Sequence, residues 1–135
     1  MPLSSQSGIR QMGPRMLPFL TGGTSTSATG YVRIGSLAFD KGNYVYSSII
    51  LEGLLETTDV ANAAQMRLYD VANAAVIGTD PLLTSTSLTA EYLYSADLTL
   101  PSGFTIYELQ MKMGAGAAPD VVICTHAQLL MNWGG

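Results

Sequence analysis

The chain contains a single histidine, His126, and a single cysteine, Cys124, two positions apart near its C-terminus. These two residue types can form a nucleophile–base pair in which the imidazole takes the thiol proton. Both fall in a predicted strand, where side chains two positions apart share a face but stand about 6–7 Å apart. That separation exceeds hydrogen-bond reach. We therefore predict a buried cysteine, a packed histidine and no catalytic residue.

Metal binding by the six aspartates is the second chemistry to consider. Each aspartate lies at or near a predicted turn or strand end, where this residue commonly caps turns. The Asp-x-Asp-x-Asp spacing of a calcium loop does not occur, and a lone cysteine cannot build a thiolate metal site. We expect no metal, no cofactor and no enzymatic activity. The aspartates are Asp40, Asp59, Asp70, Asp80, Asp97 and Asp120.

The cysteine, the histidine and the aspartates all lie in, or at the ends of, segments that are predicted to be strands. From Phe104 to Met113, apolar and polar side chains alternate with a period of two, which is typical of a half-buried strand. A Pro101-Ser102-Gly103 turn precedes this run, and we expect it to form a hairpin with residues 92–100. The inward side chains are predicted to be Tyr107, Leu109, Met111 and Met113, and the outward ones Glu108, Gln110 and Lys112.

Similar patterns recur from residue 31 to residue 135 and predict about eight strands. The segment 59–69 has some helix propensity, but its second half also fits a strand. We therefore predict an all-β fold, a single β-sandwich or jelly roll of about eight antiparallel strands. In the last strand, Val121–Trp133, every second side chain is predicted to face the same way. These residues are Ile123, Thr125, Ala127, Leu129, Met131 and Trp133.

Residues 1–30 differ in composition from residues 31–135, here called the body, and are predicted to form an extended N-terminal arm. Three prolines within the first eighteen residues disfavour regular structure, and residues 21–30 are rich in Gly, Ser and Thr, as linkers are. Fully extended, 30 residues reach about 100 Å. The arm is predicted to dock outside its own domain, because a solvated linker would not need its apolar residues, and the alternative is a frayed terminus. These residues are Met12, Met16, Leu17, Phe19 and Leu20.

The amount and distribution of charge indicate which kinds of partner the chain can bind. Charged residues make up 12% of the chain, about half the ~25% usual for soluble proteins. This favours a surface that is covered by copies of the chain or by a partner, although a Ser- and Thr-rich sandwich also needs few charges. The arm carries a net charge of +2, from two arginines and no acid, and the body −6, from four bases and ten acids. An acidic body argues against nucleic acid as the partner.

The cysteine count indicates the compartment in which the chain is made, and the hydropathy indicates whether a membrane is a partner. One cysteine excludes an intramolecular disulfide, which favours synthesis in a reducing compartment such as a cytoplasm. The chain contains no run of 18 apolar residues, so we expect no membrane partner.

Seven tyrosines and Trp133 raise the possibility of a sugar-stacking platform. Tyr44 and Tyr46 are predicted to share a face of one strand, and Tyr92 and Tyr94 a face of another. Cross-strand aromatic pairing and tyrosine-rich protein interfaces explain the same pattern without a sugar.

Three segments resemble the β-sandwich modules of tailed-bacteriophage virion proteins, in particular small capsid decoration (cement) proteins. The segments are Met-Arg-Leu-Tyr-Asp-Val at 66–71, Asp-Leu-Thr-Leu-Pro-Ser-Gly-Phe-Thr-Ile-Tyr-Glu-Leu-Gln-Met-Lys at 97–112 and Ala-Gln-Leu-Leu-Met-Asn-Trp at 127–133. Together they cover about half of the body. The resemblance implies a structural protein on the capsid surface of a virion, made in the host cytoplasm, that works through its surfaces.

The resulting hypothesis is a decoration protein that binds the major capsid protein and self-associates as a homotrimer. Arg10 and Arg15 are expected to pair with acidic shell residues, and Leu17, Phe19 and Leu20 to fill apolar grooves of the shell. One alternative is a carbohydrate-binding β-sandwich whose tyrosines stack on sugars. Another is a structural component of the tail or baseplate.

Overall fold

Two antiparallel sheets of five strands each make up the computed structural model of the chain, which describes residues 15–20 and 22–132. The strands are β1 (Arg15–Pro18), β2 (Thr24–Thr26), β3 (Val32–Asp40), β4 (Ser48–Thr57), β5 (Ala64–Asp70), β6 (Ala75–Ile77), β7 (Leu83–Ser85), β8 (Glu91–Tyr94), β9 (Phe104–Met113) and β10 (Val122–Asn132). The first sheet has the order β1-β10-β4-β8, and β2 also pairs with β10. The second has the order β3-β9-β5-β6, and β7 also pairs with β5. None of the described residues forms a helix long and apolar enough to cross a membrane.

The core lies between the sheets and is built by alternation along the long strands. In β9 every second side chain is buried, from Thr105 to Met113, and the predicted inward set is confirmed. Strands β4 and β5 alternate in the same way. Because buried positions recur with a period of two in both sheets, the predicted all-β sandwich is confirmed.

The predicted hairpin between residues 92–100 and 104–113 is wrong. Strand β8 pairs with β4 in the first sheet, whereas β9 pairs with β3 and β5 in the second. The intervening chain crosses between the sheets. On the way, the N–H of Leu98 donates to the carbonyl of Ile49 at 2.8 Å, and Leu100 is buried. Gly103, at φ 90°, turns the chain into β9.

A β-bulge in β10 reverses its side-chain phase. The register against β4 shifts between Cys124 and His126, which leaves Thr125 as the extra residue. Before the bulge the even-numbered residues face the core, and after it the odd-numbered ones do. The single parity predicted for this strand is therefore wrong before the bulge, and Trp133 lies outside the described residues. The buried apolar side chains are Val122, Cys124, Ala127, Leu129 and Met131.

Residues 15–30, predicted as the second half of the arm, lie on the sandwich. Strand β1 pairs with the end of β10, and β2 pairs with its beginning. The N–H of Phe19 donates to the carbonyl of Ala127 at 3.0 Å, and the Phe19 side chain is 7% exposed within the core. The predicted domain boundary at residue 31 is corrected accordingly, since the sandwich already includes Arg15. Residues 1–14 lie outside the described residues.

Candidate functional site

Cys124 and His126 lie on opposite faces of β10 because the bulge separates them. Cys124 is fully buried, as predicted, and its Sγ donates to the His126 carbonyl oxygen at 3.4 Å. Burial raises the pKa of the thiol to about 12. His126 is half-buried on the outer face. A protonated thiol and an imidazole across the sheet cannot exchange a proton, so in this arrangement they are not a nucleophile and its base.

Some of the aspartates cap local turns, as the sequence predicts, and others bond to residues distant in the chain. Asp40 accepts a hydrogen bond from the N–H of Gly42 at 2.8 Å, and Asp59 accepts one from Ala61 at 2.9 Å. Asp120 accepts from the Asn62 side chain at 3.1 Å. Within residues 15–20 and 22–132, no group of three or more His, Cys, Asp or Glu side chains could hold a metal ion.

Asp70 is the buried aspartate and ties the end of β5 to β9. It is 1% exposed, and it accepts hydrogen bonds from the Asn73 side chain at 2.6 Å and the Thr105 hydroxyl at 2.9 Å. The hydrogen bond from Asn73 lowers the pKa of Asp70, against the opposing effect of burial. These contacts are satisfied within the chain, and they give Asp70 a structural role.

A cluster of charged and aromatic side chains covers part of the outer face of the second sheet. The Arg67 guanidinium lies 4.1 Å from the centre of the Tyr31 ring and 3.1 Å from the Asp80 carboxylate. The Tyr31 hydroxyl also donates to Asp80. This hydrogen bond lowers the pKa of Asp80, and burial raises that of Tyr31. The cluster joins the start of β3 to β5 and the loop before β7, which explains it without a ligand.

The outer face of the first sheet has a different composition. The pairing registers align its side chains in rows across the strands. In the row toward Asn132, Met16, Leu130 and Ile50 stand side by side. The next two rows follow toward the bulge. They contain Pro18, Gln128, Glu52 and Tyr94, and then His126, Leu54 and Tyr92.

Glu52 is the one carboxylate within these three rows, and it is already hydrogen-bonded. The side-chain amide of Gln128, itself 7% exposed, donates to Glu52 at 2.9 Å. Met16, Tyr92 and Tyr94 remain 62%, 54% and 59% exposed. These three rows therefore offer apolar and aromatic contacts with little charge to desolvate, which suits a protein surface that becomes covered. Glu56 lies on the same face in the next row, opposite Ile123.

The two pairs of tyrosines differ in environment. The rings of Tyr92 and Tyr94 lie 6.4 Å apart and are nearly parallel, with 15° between their planes. Tyr44 and Tyr46 instead precede β4 and pack against the core. Tyr44 makes an edge-to-face contact with Phe39 at 5.9 Å. Any stacking platform therefore lies on β8.

The residues predicted to contact a partner are placed as follows. Arg10 lies outside the described residues, and Arg15 is half-buried at the start of β1. Leu17, Phe19 and Leu20 pack against the chain's own core, which corrects the expectation that they fill grooves in another protein. Met16 is among the apolar residues of the arm that predict docking, and it lies on the outer face of the first sheet, 62% exposed. Its alternation with Leu17 indicates this placement, since neighbouring residues of a strand face opposite ways.

Comparison with known proteins finds no match for the chain among protein-family models, curated proteins or solved structures. The surfaces of the sandwich are therefore the features that indicate a function. Among them, the outer face of the first sheet is the candidate site, and its side chains are suited to binding another molecule.

Proposed function

We propose that this protein is a virion structural protein that decorates and stabilises a phage capsid, with the outer face of the first sheet against the shell. The observation that carries the proposal is the set of three rows on that face. They present exposed Met16, Tyr92 and Tyr94 around half-buried leucine and isoleucine side chains, with Glu52 as the one carboxylate.

The energetic reason is the hydrophobic effect. Burial of apolar surface contributes about 25 cal/mol per Å², and the three rows contain one carboxylate that is already hydrogen-bonded, so their burial costs little in charge desolvation. Aromatic residues and methionine are the types enriched where protein interfaces are fully buried. A cement protein needs such a face because it must bind neighbouring shell subunits persistently.

The N-terminal residues have a different role in this proposal from the one that the sequence predicts for them. Residues 15–20 hold the chain to its own sandwich, so residues 1–14 are the part left to reach the shell. Arg10 is the one charged side chain among them, and we assign it the pairing with acidic shell residues. Because β1 begins at the edge of the outer face, these residues are tethered beside the proposed contact.

The test is co-sedimentation with shells assembled from the major capsid protein of the genome that encodes this chain. A variant with Met16→Ser, Tyr92→Ser and Tyr94→Ser is expected to bind at least about tenfold more weakly, because hot-spot aromatic residues carry about 2 kcal/mol or more each. The control has Val60→Ser and Val71→Ser, at positions 59% and 40% exposed away from this face, and is expected to bind like the wild type. Equal loss in both variants, or no binding by the wild type, would contradict the proposal.

A second candidate function is carbohydrate binding, which the exposed and nearly parallel rings of Tyr92 and Tyr94 favour. Sugar rings stack on such aromatic faces, and β8 lies at the sheet edge, where a ligand has access. Glycan-array binding that disappears with Tyr92→Ser and Tyr94→Ser, but survives Met16→Ser, would favour it. Binding to purified tails rather than shells would indicate a tail or baseplate component.

A further inference from the structure

Strand β3 is the edge strand of the second sheet and is nine residues long. It pairs with β9 on one side, and no described residue pairs with the other side, here called the free edge of β3. An edge strand of this length presents a row of backbone donors and acceptors to any strand that can pair with it.

One hydrogen bond identifies the groups that point to the free edge. The carbonyl of Ile106 accepts from the N–H of Val71, beyond the end of β5, at 3.0 Å. In an antiparallel strand the N–H and C=O of one residue point to the same side, so those of Ile106 face away from β3. Ala38, which lies opposite Ile106, is then not hydrogen-bonded to β9. Its N–H and C=O, like those of Ser36 and Asp40, project from the free edge.

The features that usually protect an edge strand are confined to the two ends of β3. A bulge lies between Arg33 and Gly35, and Asp40 is the charged residue at the opposite end. From Ser36 to Phe39 the edge is uncharged. The neighbouring outer surface is apolar there, since Phe104 and Ile106 are 69% and 45% exposed. The middle of β3 is thus a suitable place for another strand to pair.

We propose that two copies of this chain associate through their β3 strands, paired antiparallel across a two-fold axis near Ala38. The backbone groups of Ser36, Ala38 and Asp40 are self-complementary in this arrangement. It also places Asp40 of one strand opposite Ser36 of the other, so that no like charges face each other across the pair. The pair joins two five-stranded sheets into one of ten strands, and it closes at two copies because the two-fold axis uses the free edge of β3 in both chains. The inference does not depend on the proposed function, and it replaces the predicted trimer with a dimer.

Amide hydrogen exchange on the full chain, measured by NMR at low and high protein concentration, tests the pairing directly. We expect the amides of Ser36, Ala38 and Asp40 to exchange at least about tenfold more slowly at high concentration, where the dimer forms. The amides of Leu37 and Phe39 face β9 and are expected to stay protected at both concentrations. The mass by sedimentation equilibrium should rise to twice the 14.3 kDa of the chain.

Two substitutions at the exposed Ala38 test the same edge. Ala38→Pro removes an N–H that β9 does not use, and Ala38→Lys places two like charges near the axis. Both are expected to weaken dimerisation at least about tenfold. The control is Ala117→Lys, in an exposed loop, which should dimerise like the wild type.

Several results would overturn the pairing. They are a monomer at every concentration, a trimer, or a dimer that both Ala38 variants retain. Protection of Ser36, Ala38 and Asp40 that is independent of concentration would also overturn it, because it would mean that the chain covers its own edge. Since the exchange measurement uses the wild type, the test stands even if a variant fails to fold.

Discussion

At the scale of single residues, Asp70 is the buried charge of the sandwich, and its environment sets its effect on stability. The carboxylate receives hydrogen bonds from the side chains of Asn73 and Thr105 and from the Asn73 backbone N–H. These donors stabilise the ionised form, and the one from the Asn73 side chain lowers the pKa of Asp70 most. A carboxyl whose pKa is lower in the folded than in the unfolded chain stabilises the fold wherever it is ionised.

Replacement of Asp70 by Asn is therefore expected to destabilise the protein in a pH-dependent way. At neutral pH the variant should lose about 1–3 kcal/mol in the free energy of unfolding, the usual range for hydrogen bonds to a charged group. The stabilisation by Asp70 is present above the unfolded pKa of about 3.9 and is lost as pH falls through the lower folded value. The difference between wild type and variant should consequently shrink below about pH 4.

Urea unfolding at a series of pH values measures this difference. The control is Asp97→Asn, at an exposed position between β8 and β9, which should change the free energy of unfolding by less than about 0.5 kcal/mol. A difference for Asp70→Asn that is the same at acid and neutral pH would contradict the assignment.

At the scale of elements, residues 15–26 close the side of the sandwich between β10 and β3. Phe19 and Leu20 reach across this opening and pack against the core. They approach β3 at Gly35, beside the β3 bulge, where an added Cβ would lie 2.6 Å from the Phe19 carbonyl oxygen. The glycine is required there because the two backbones come too close for a side chain.

Gly35→Ala is expected to displace this segment. Its Cβ would also stand 3.2 Å from the Leu20 side chain, and overpacking of this kind costs about 1–3 kcal/mol. Thermal unfolding should show the loss of stability, and limited proteolysis should cleave within residues 15–30 faster than in the wild type. Gly30→Ala, with nothing within 4 Å of its added Cβ, should behave like the wild type. Equal proteolysis of the two variants would refute the role of Gly35.

At the scale of the whole molecule, the two outer faces of the sandwich differ in charge. The outer face of the second sheet carries Arg67 and Lys112 around Tyr31, with Asp80 nearby. The three rows on the first sheet carry Glu52 as their one carboxylate. This asymmetry is the reason for assigning the shell contact to the first sheet, since a charged face costs more to desolvate.

Two truncations separate folding from binding at this scale. Removal of residues 1–14 keeps β1 and Phe19, so it should cost less in the free energy of unfolding than removal of residues 1–20, and it should weaken shell binding. Removal of residues 1–20 should cost about 3–5 kcal/mol or more, the usual effect of deleting a buried phenylalanine, since Phe19 is 7% exposed in the core. Chemical denaturation measures both. A stable fold without residues 15–20 would show that this segment is not part of the sandwich.

Local patterns in the amino-acid sequence are enough to predict the fold class and most inward-facing positions. Alternation along β9 predicts that Tyr107, Leu109 and Met111 are buried, because a strand places neighbouring side chains on opposite faces whatever its partner. The turn-capping aspartates are local in the same sense. They bond to residues two or three positions away, and sequence spacing is enough to predict them.

The pairing of the strands and the exposure of the surfaces instead follow from contacts between distant parts of the chain. Strand β8 pairs with β4 rather than with β9, and Phe19 enters its own core through contact with β10, more than a hundred residues away. The bulge at Thr125 separates Cys124 from His126, and the row of Met16, Leu130 and Ile50 forms only once three distant strands align. These features depend on non-local pairing energies, which the local alternation of a sequence does not contain.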